Sequence, residues 1–341
     1  MSFPRPLISF IIPVYNRPEE VQELLQSLCL QHDKRFEVII IEDGSHTPCK
    51  SIVEEYSSRL SIVYKYIENG GPARARNIGA QLATSDLLVF LDSDVVLPAA
   101  YTDHVIQAFT KKENSLQGFD VFGGADCAAD SFTPVQKAIN YAMTSPLTTG
   151  GIRGGKKHIG KYYPRTFNMG CRRLFFDKVQ GFDESMRFGE DIDFGLRLEK
   201  CGAHIVLLQD AWVYHKRRVD FRKFFKQVFN SGMARMTLSL KHKGSLKLVH
   251  LLPSIATITL LFFLIVGVCI CPWALTIPLL GGLIIFIHAC IQTKSLWIAL
   301  LSLPAVLIQI CGYGAGFLAA SIKRLFSSKA SLQAFDKSFY N

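Results

Sequence analysis

Four short apolar runs dominate the first 94 residues: ISFIIPV from Ile8, FEVIII from Phe36, LSIVYKYI from Leu60 and LLVFL from Leu87. Each is four to eight residues long and ends in polar or turn-forming residues, the signature of a buried strand. The stretches between them carry helical spacing. Residues 17–31 place Val21, Leu24, Leu25 and Leu28 on one face, with Pro18 near the first turn, where its missing N–H is harmless. Residues 49–59 form a second helical stretch. A third begins at Pro72 and aligns Ala75, Gly79 and Ala83 as a small-residue face for close packing. Strand–helix alternation predicts an α/β domain built on a mainly parallel, doubly wound sheet. Ligands on such sheets bind beyond the carboxyl ends of the strands. Those ends carry Asn16, Asp43, Asp92 and Asp94.

The last strand raises a question of charge. In LLVFLDSDVVLP two carboxylates follow a run with no polar residue, and burying a carboxylate is costly unless something positive pairs with it. A second acidic group opens the segment EDIDFGLRLEKCG. Its helix is expected to begin near Glu190 and to stop at Gly202, a fitting residue just past a helix end. Negative charge is favoured at a helix N-terminus, so Glu190 and Asp191 suit that position as plain capping residues or as reacting groups.

Apolarity is unevenly spread. From 248 to 321 the only formally charged residue is Lys294, and three apolar segments fit there, 249–271, 273–290 and 296–321. Crossing a bilayer takes about 20 apolar residues. The first and third segments meet that length, whereas the second is shorter and holds Pro278 and a Gly281–Gly282 pair. The net charge of +10 suggests nucleic acid until its placement is considered. Lys216, Arg217, Arg218, Arg222, Lys223, Lys226, Arg235, Lys241, Lys243 and Lys247 crowd just before the first segment. That is the positive-inside pattern, and it places the N-terminal domain in the cytoplasm of a multi-pass membrane protein, without a nucleic-acid partner. Nine scattered cysteines without a CxxC pair fit a reducing compartment, and MSFPRPLISFIIPVYN does not read as a signal peptide. Three spans would put Lys323, Arg324 and Lys329 on the far side, against the same rule, so two or three spans stay open. Residues 221–229 alternate Phe221, Phe224, Phe225, Val228 and Phe229 with basic residues, the pattern of an interfacial helix with its apolar face in lipid. Packing on the catalytic domain is the other reading. The division expected is a catalytic domain over 1–218, a basic amphipathic helix over 219–247, spans over 248–322 and a basic tail over 323–341.

The segments SFIIPVYNRPEEVQELLQSL, VIIIEDGS, GGPARARNIGA, FLDSDVVLP and GFDESMRFGEDIDFGLRLEKCG, in that order, resemble the family-two inverting glycosyltransferases of the GT-A fold. The resemblance covers roughly 3–215. Any one segment is weak evidence, since DxD triplets are common by chance; five in order are specific. The resemblance implies a nucleotide-sugar donor, a UDP- or dTDP-sugar, and a divalent cation, Mn2+ or Mg2+. A hard cation held by carboxylates neutralises the diphosphate leaving group. It assigns Asp94 to the cation, with Asp92 on the cation or the donor's ribose. Asp43 would accept from the imide N–H of the base, framed by Pro13 and Val14; an Asx-turn is the structural alternative. Asn16, Arg74, Arg76, Asn77 and Ser93 join the donor site, though Arg74 and Arg76 also suit a solvated helix face. Asp191 becomes the base that deprotonates the acceptor hydroxyl, and Glu190 orients the acceptor. His215, closing the run AWVYH, is either a further ligand, which favours Mn2+, or an interfacial histidine. The chain lacks the QxxRW box of processive synthases, implying one sugar per encounter.

Other classes fit less well. A transporter needs intramembrane polar residues lining a path, and these segments have few. A metal-dependent nucleotidyltransferase shares paired acids on such a sheet but releases a different product. The acceptor implied is a lipid-linked glycan or, alternatively, a soluble sugar; membrane lipids are the remaining partner.

Overall fold

A computed structural model describes residues 5–110, 118–127, 132–149, 162–186, 188–216 and 220–326. The chain forms two compact units, Met1–Cys127 with Lys161–His215, and Ala128–Gly160 with Lys216–Asn341. Residues 128–160, which the sequence division assigns to the catalytic domain, thus join the C-terminal helices. Arg217, Arg218 and Lys329 lie outside the described residues.

The first unit is an eight-stranded sheet of β1 (Ile8–Val14), β2 (Phe36–Asp43), β3 (Ile62–Ile67), β4 (Leu87–Leu91), β5 (Val95–Val96), β6 (Val121–Cys127), β7 (Asn168–Arg172) and β8 (Ile205–His215). The spatial order is β3-β2-β1-β4-β7-β6-β8-β5. The first four strands run parallel in tight register, with Ile11 of β1 opposite both Ile39 and Phe90. Their odd and even residues feed two cores. Phe10, Ile12, Val38, Ile40 and Val89 face α1 (Pro18–Cys29), α2 (Lys50–Tyr56) and α4 (Tyr101–Thr110). Ile11, Ile39, Ile41 and Phe90 face α3 (Pro72–Leu82), α7 (Arg173–Lys178) and α8 (Glu190–Lys200). This is the period-two alternation of a strand buried on both faces. The small-residue face of α3 serves as expected: a Cβ on Gly79 would stand 2.5 Å from Ile11 Cγ2.

The sheet departs from the expected parallel order at β7, which runs antiparallel to both β4 and β6, while β8 is parallel to β6. An antiparallel strand starts where its neighbours end. Asn168 at the start of β7 pairs with Leu91 at the end of β4, so the residues preceding β7 arrive at the edge where Asp92 emerges. The end of β8 reaches the same edge, with His215 opposite Val95.

The second unit holds α5 (Pro134–Thr144) and α6 (Pro146–Thr149), then α9 (Phe221–Lys241), α10 (Leu252–Cys269), α11 (Thr276–Thr293), α12 (Leu296–Leu307) and α13 (Tyr313–Phe326). Among the described residues three helices, Leu252–Cys269, Pro272–Thr293 and Leu296–Phe326, are long and apolar enough to cross a membrane. The last is continuous through a π-helical turn at Ile308–Gly312, four residues after Pro304. A proline in a helix removes one backbone bond and crowds the preceding turn, and a widened turn nearby absorbs the misfit. Helix α5 starts at a capping box formed by Thr133 and Gln136. It packs Ala138, Ile139 and Ala142 into the same cluster as Ala289, Ala299 and Ala305, and Tyr141 Oη lies 2.7 Å from His288 Nδ1.

The expected lipid contact of α9 needs correction. Phe224 and Val228 are fully buried, in one cluster with Ala305 and Val306. Part of the apolar face of α9 is therefore covered by protein, while Phe225 of that face stays exposed together with Arg222, Lys223 and Lys226. The cause is the run GYGAG at 312–316. Its glycines remove the side chains that would hold two helices apart, so backbones approach closely. A Cβ on Gly316 would lie 2.0 Å from Phe229 O, and one on Gly232 2.2 Å from Tyr313 O. Gly316→Val is expected to force these helices apart at a cost of at least about 1–3 kcal/mol. In detergent its thermal midpoint should fall by several degrees relative to wild type; an unchanged midpoint would contradict this crossing.

Candidate active site

The carboxyl ends of β1, β2, β4 and β8 and the N-terminus of α8 supply the charged groups. Asp92 and Asp94 follow β4 at once, with Ser93 buried between them. Ligand atoms of Asp92, Asp94 and His215 lie within 4.8 Å of one another. His215 Nε2 is 3.3 Å from Asp94 Oδ1, and its ring stacks on Phe167 with centroids 4.6 Å apart. Its Nδ1 is buried without a hydrogen-bond partner, 3.9 Å from Asp126 Oδ2. Two carboxylates and one imidazole fit a hard or borderline divalent cation such as Mn2+ or Mg2+, and the imidazole nitrogen suits Mn2+ better.

Arginines alternate with the acids. Arg17, just past β1, donates from Nη1 to Asp94 Oδ2 at 2.5 Å. Arg76 of α3, 3% exposed, donates from Nη2 to Asp92 Oδ1 at 2.8 Å and from Nη1 to Glu190 Oε1 at 3.0 Å. Arg165, in the segment that β7's direction brings to this edge, lies 3.2 Å from Asp191 Oδ2. The positive partners that the acids of LLVFLDSD require are thus Arg17 and Arg76. Arg76 also links the strand-end acids to the α8 acids, a connection no sequence spacing displays.

The first two acids of α8 differ. Asp191 keeps one oxygen on the Ile192 N–H at 2.8 Å and the other toward Arg165, and its side chain is 14% exposed. Glu190 is turned to Arg76 and more deeply buried. Burial, then the Asp191 charge, push the Glu190 carboxyl up to about 7, while Arg76 acts in the opposite direction. An unfolded glutamate titrates near 4.5, so the folded chain binds this proton more tightly. The resulting stabilisation is complete below about pH 4.5 and is lost as pH rises through about 7. Without added cation, the thermal midpoint should fall by a few degrees between pH 5 and 8. Glu190→Gln should flatten that slope, and an equally steep slope in the variant would assign it to other groups.

Several sequence candidates have structural partners. Asp43, 4% exposed, accepts from Gly70 N–H at 2.7 Å and Gly71 N–H at 2.9 Å, pinning the turn that starts α3. These bonds tie Asp43 to residues 27 and 28 positions further along the chain. Asn16, with φ +53°, accepts on Oδ1 from His46 and Thr47 N–H and so binds the loop after β2. Asn77 is not brought to the cluster: its amide donates to Phe182 O and Glu184 Oε1 and accepts from Phe182 N–H. Arg74 lies over Gly70, where a Cβ would meet its Cδ at 2.4 Å. Pro13 and Val14 end β1 beside Ile41 and Glu42. Arg17, Asp126, Arg165 and Phe167 escaped the sequence reading. Only Arg17 had a signal, since it follows Asn16 at a strand end already marked as a ligand edge.

The description of Glycosyl transferase family 2 matches residues 9–179. The chain is 29% identical over 231 residues to validoxylamine A glucosyltransferase of Streptomyces hygroscopicus subsp. jinggangensis, covering 61% of this chain and 54% of that protein. It spans about half the length of the curated relatives it matches. Among solved structures, the mannosyltransferase PcManGT of Pyrobaculum calidifontis in complex with GDP-Man and Mn2+ superposes with a TM-score of 0.55 at 18% identity, covering 96% of this chain and 89% of that one. S. aureus TarS in complex with UDP follows with a TM-score of 0.50 at 18% identity, covering 92% and 91%. These likenesses are to a shared GT-A fold. With half of its length matched by the family description and the paired acids at the expected strand end, the chain belongs to glycosyl transferase family 2.

Proposed function

We propose that the chain is a metal-dependent, inverting glycosyltransferase. It moves a sugar from a nucleotide-sugar donor to a hydroxyl of a lipid-linked glycan at the cytoplasmic face of a membrane, in surface polysaccharide or glycolipid assembly. The observation that carries the reading is the meeting of Asp92, Asp94 and His215 at one strand edge, joined through Arg76 to the acids of α8. A cation on Asp92, Asp94 and His215 would supply charge neutralisation for the departing diphosphate. The bound GDP-Man and Mn2+ of PcManGT, and the UDP of TarS, support a nucleotide-sugar donor and a divalent ion. Pro13, Val14 and Asp43 would frame the base, whose imide N–H suits a carboxylate acceptor.

Asp191 takes the acceptor proton as the hydroxyl oxygen attacks the anomeric carbon from the face opposite the leaving group. It is the more accessible of the first two α8 acids, whereas Glu190 is committed to Arg76. Arg165 fixes the Asp191 carboxylate. The three apolar helices on the same chain support a lipid-linked acceptor. Tethering to a membrane raises the effective concentration of acceptors embedded in it. The exposed Arg222, Lys223 and Lys226 favour the cytoplasmic side and anionic headgroups.

The test is to offer purified full-length protein UDP-, dTDP- and GDP-sugars with Mn2+ or Mg2+ and to identify the released nucleotide. Nucleoside diphosphate is expected. Monophosphate release would mark attack at phosphorus and a nucleotidyltransferase. With the active donor, a polyprenyl-linked sugar should outcompete the same sugar free in solution; preference for the free sugar would remove the lipid-linked acceptor.

A further inference from the structure

We propose that Arg17 is the internal counter-ion of Asp94, the group that an incoming divalent cation displaces and that then binds the donor's diphosphate. The inference rests on the cation reading above and extends it to a residue outside the coordinating set. Asp94 Oδ2 accepts from Arg17 Nη1 at 2.5 Å, while Oδ1 lies 3.3 Å from His215 Nε2 and makes no hydrogen bond. A cation held by Asp92, Asp94 and His215 would compete with Arg17 for the charge of Asp94. His215 is itself in the coordinating set and is held against Phe167. Arg76 cannot be the group that leaves, because its side chain is 4% exposed and clamps Asp92 and Glu190 together.

Arg17 differs on each count. Its side chain is 31% exposed, and its one ion pair is with Asp94. Its backbone is the N-cap of α1, where it makes no side-chain capping bond, so the guanidinium can swing without disturbing the helix. Like charges a few ångströms apart repel strongly outside bulk water, so a bound cation weakens the hold of Asp94 on Arg17. Displaced, the guanidinium stays tethered beside the cation and presents a planar fork of donors suited to phosphate oxygens. One residue thereby neutralises the acid before the cation arrives and the diphosphate after it.

The experiment measures Mn2+ alone, then inorganic pyrophosphate at saturating Mn2+, on full-length wild-type, Arg17→Gln, Arg17→Lys and Asp94→Ala proteins. Free Mn2+ is read by its paramagnetic resonance and pyrophosphate binding by calorimetry. Removing the competing charge should tighten Mn2+ binding in Arg17→Gln by about tenfold, and loss of a charge-assisted bond should weaken pyrophosphate binding by about tenfold. Arg17→Lys should fall between wild type and Arg17→Gln in both. A merely structural arginine would weaken both ligands together, and that result, or unchanged Mn2+ affinity in Arg17→Gln, overturns the proposal. Asp94→Ala separates the two readings. Mn2+ binding lost there but equal in wild type and Arg17→Gln refutes the role of Arg17 alone, whereas Mn2+ binding retained there refutes the cation site and the inference with it.

Discussion

Replacing Asp94 with alanine is expected to lower sugar transfer by at least about a thousandfold, the scale on which electrostatic stabilisation of a developing charge operates. Asp94 is 7% exposed and is the one acid of the cluster in contact with both Arg17 and His215. No neighbour can replace its oxygen, because Asp92 is tied to Arg76 and Asp126 lies on the other side of the imidazole. The fold should tolerate the change. The preceding strand Leu87–Leu91 is wholly apolar and buried, and Arg17, partly exposed, can turn to water. The measurement is nucleoside diphosphate release with Mn2+ or Mg2+, alongside a melting curve to separate lost chemistry from lost folding. Wild-type activity that is the same in excess EDTA as with added cation would sink the metal role.

Asp191→Asn should reduce turnover by roughly 10²–10⁴-fold, the usual contribution of a positioned general base, and leave cation and nucleotide binding nearly intact. Asparagine keeps the shape and can still accept the Ile192 N–H, but it cannot take the acceptor's proton. The deficit therefore belongs to the chemical step and should appear in kcat more than in KM for the donor. An equal loss of nucleotide affinity would instead make Asp191 a binding residue.

Both variants concern residues visible in the sequence, and that visibility has a physical basis. A strand buried on both faces must be apolar, so LLVFL announces itself and makes the acids after it conspicuous. A helix N-terminus favours acids, so Glu190 and Asp191 were legible by type and place. Helix–strand periodicity likewise made α1, α3 and the first four strands legible, because their burial is set by local spacing. The apolar character of residues 248–321 was equally plain, since it is a matter of composition.

What the sequence did not contain was direction and partnership. Whether a strand runs parallel or antiparallel leaves little trace in its own residues, so the reversal of β7 was unreadable, and with it the arrival of Arg165 and Phe167 at the active edge. Asn77 looked like part of a donor-binding segment, yet its amide is consumed by Phe182 and Glu184. The amphipathic pattern of α9 stated that one face would be covered without stating by what; the glycines at 312–316 decided for protein. Long-range ion pairs follow the same rule. The acids and arginines were all present in the linear text, but Arg17 with Asp94, 77 residues apart, and Arg76 with Glu190, 114 apart, become neighbours only when the sheet closes. Local periodicity and composition determined the elements and the types of charge at their ends; tertiary packing decided which charges meet, because contact between distant residues is set by topology.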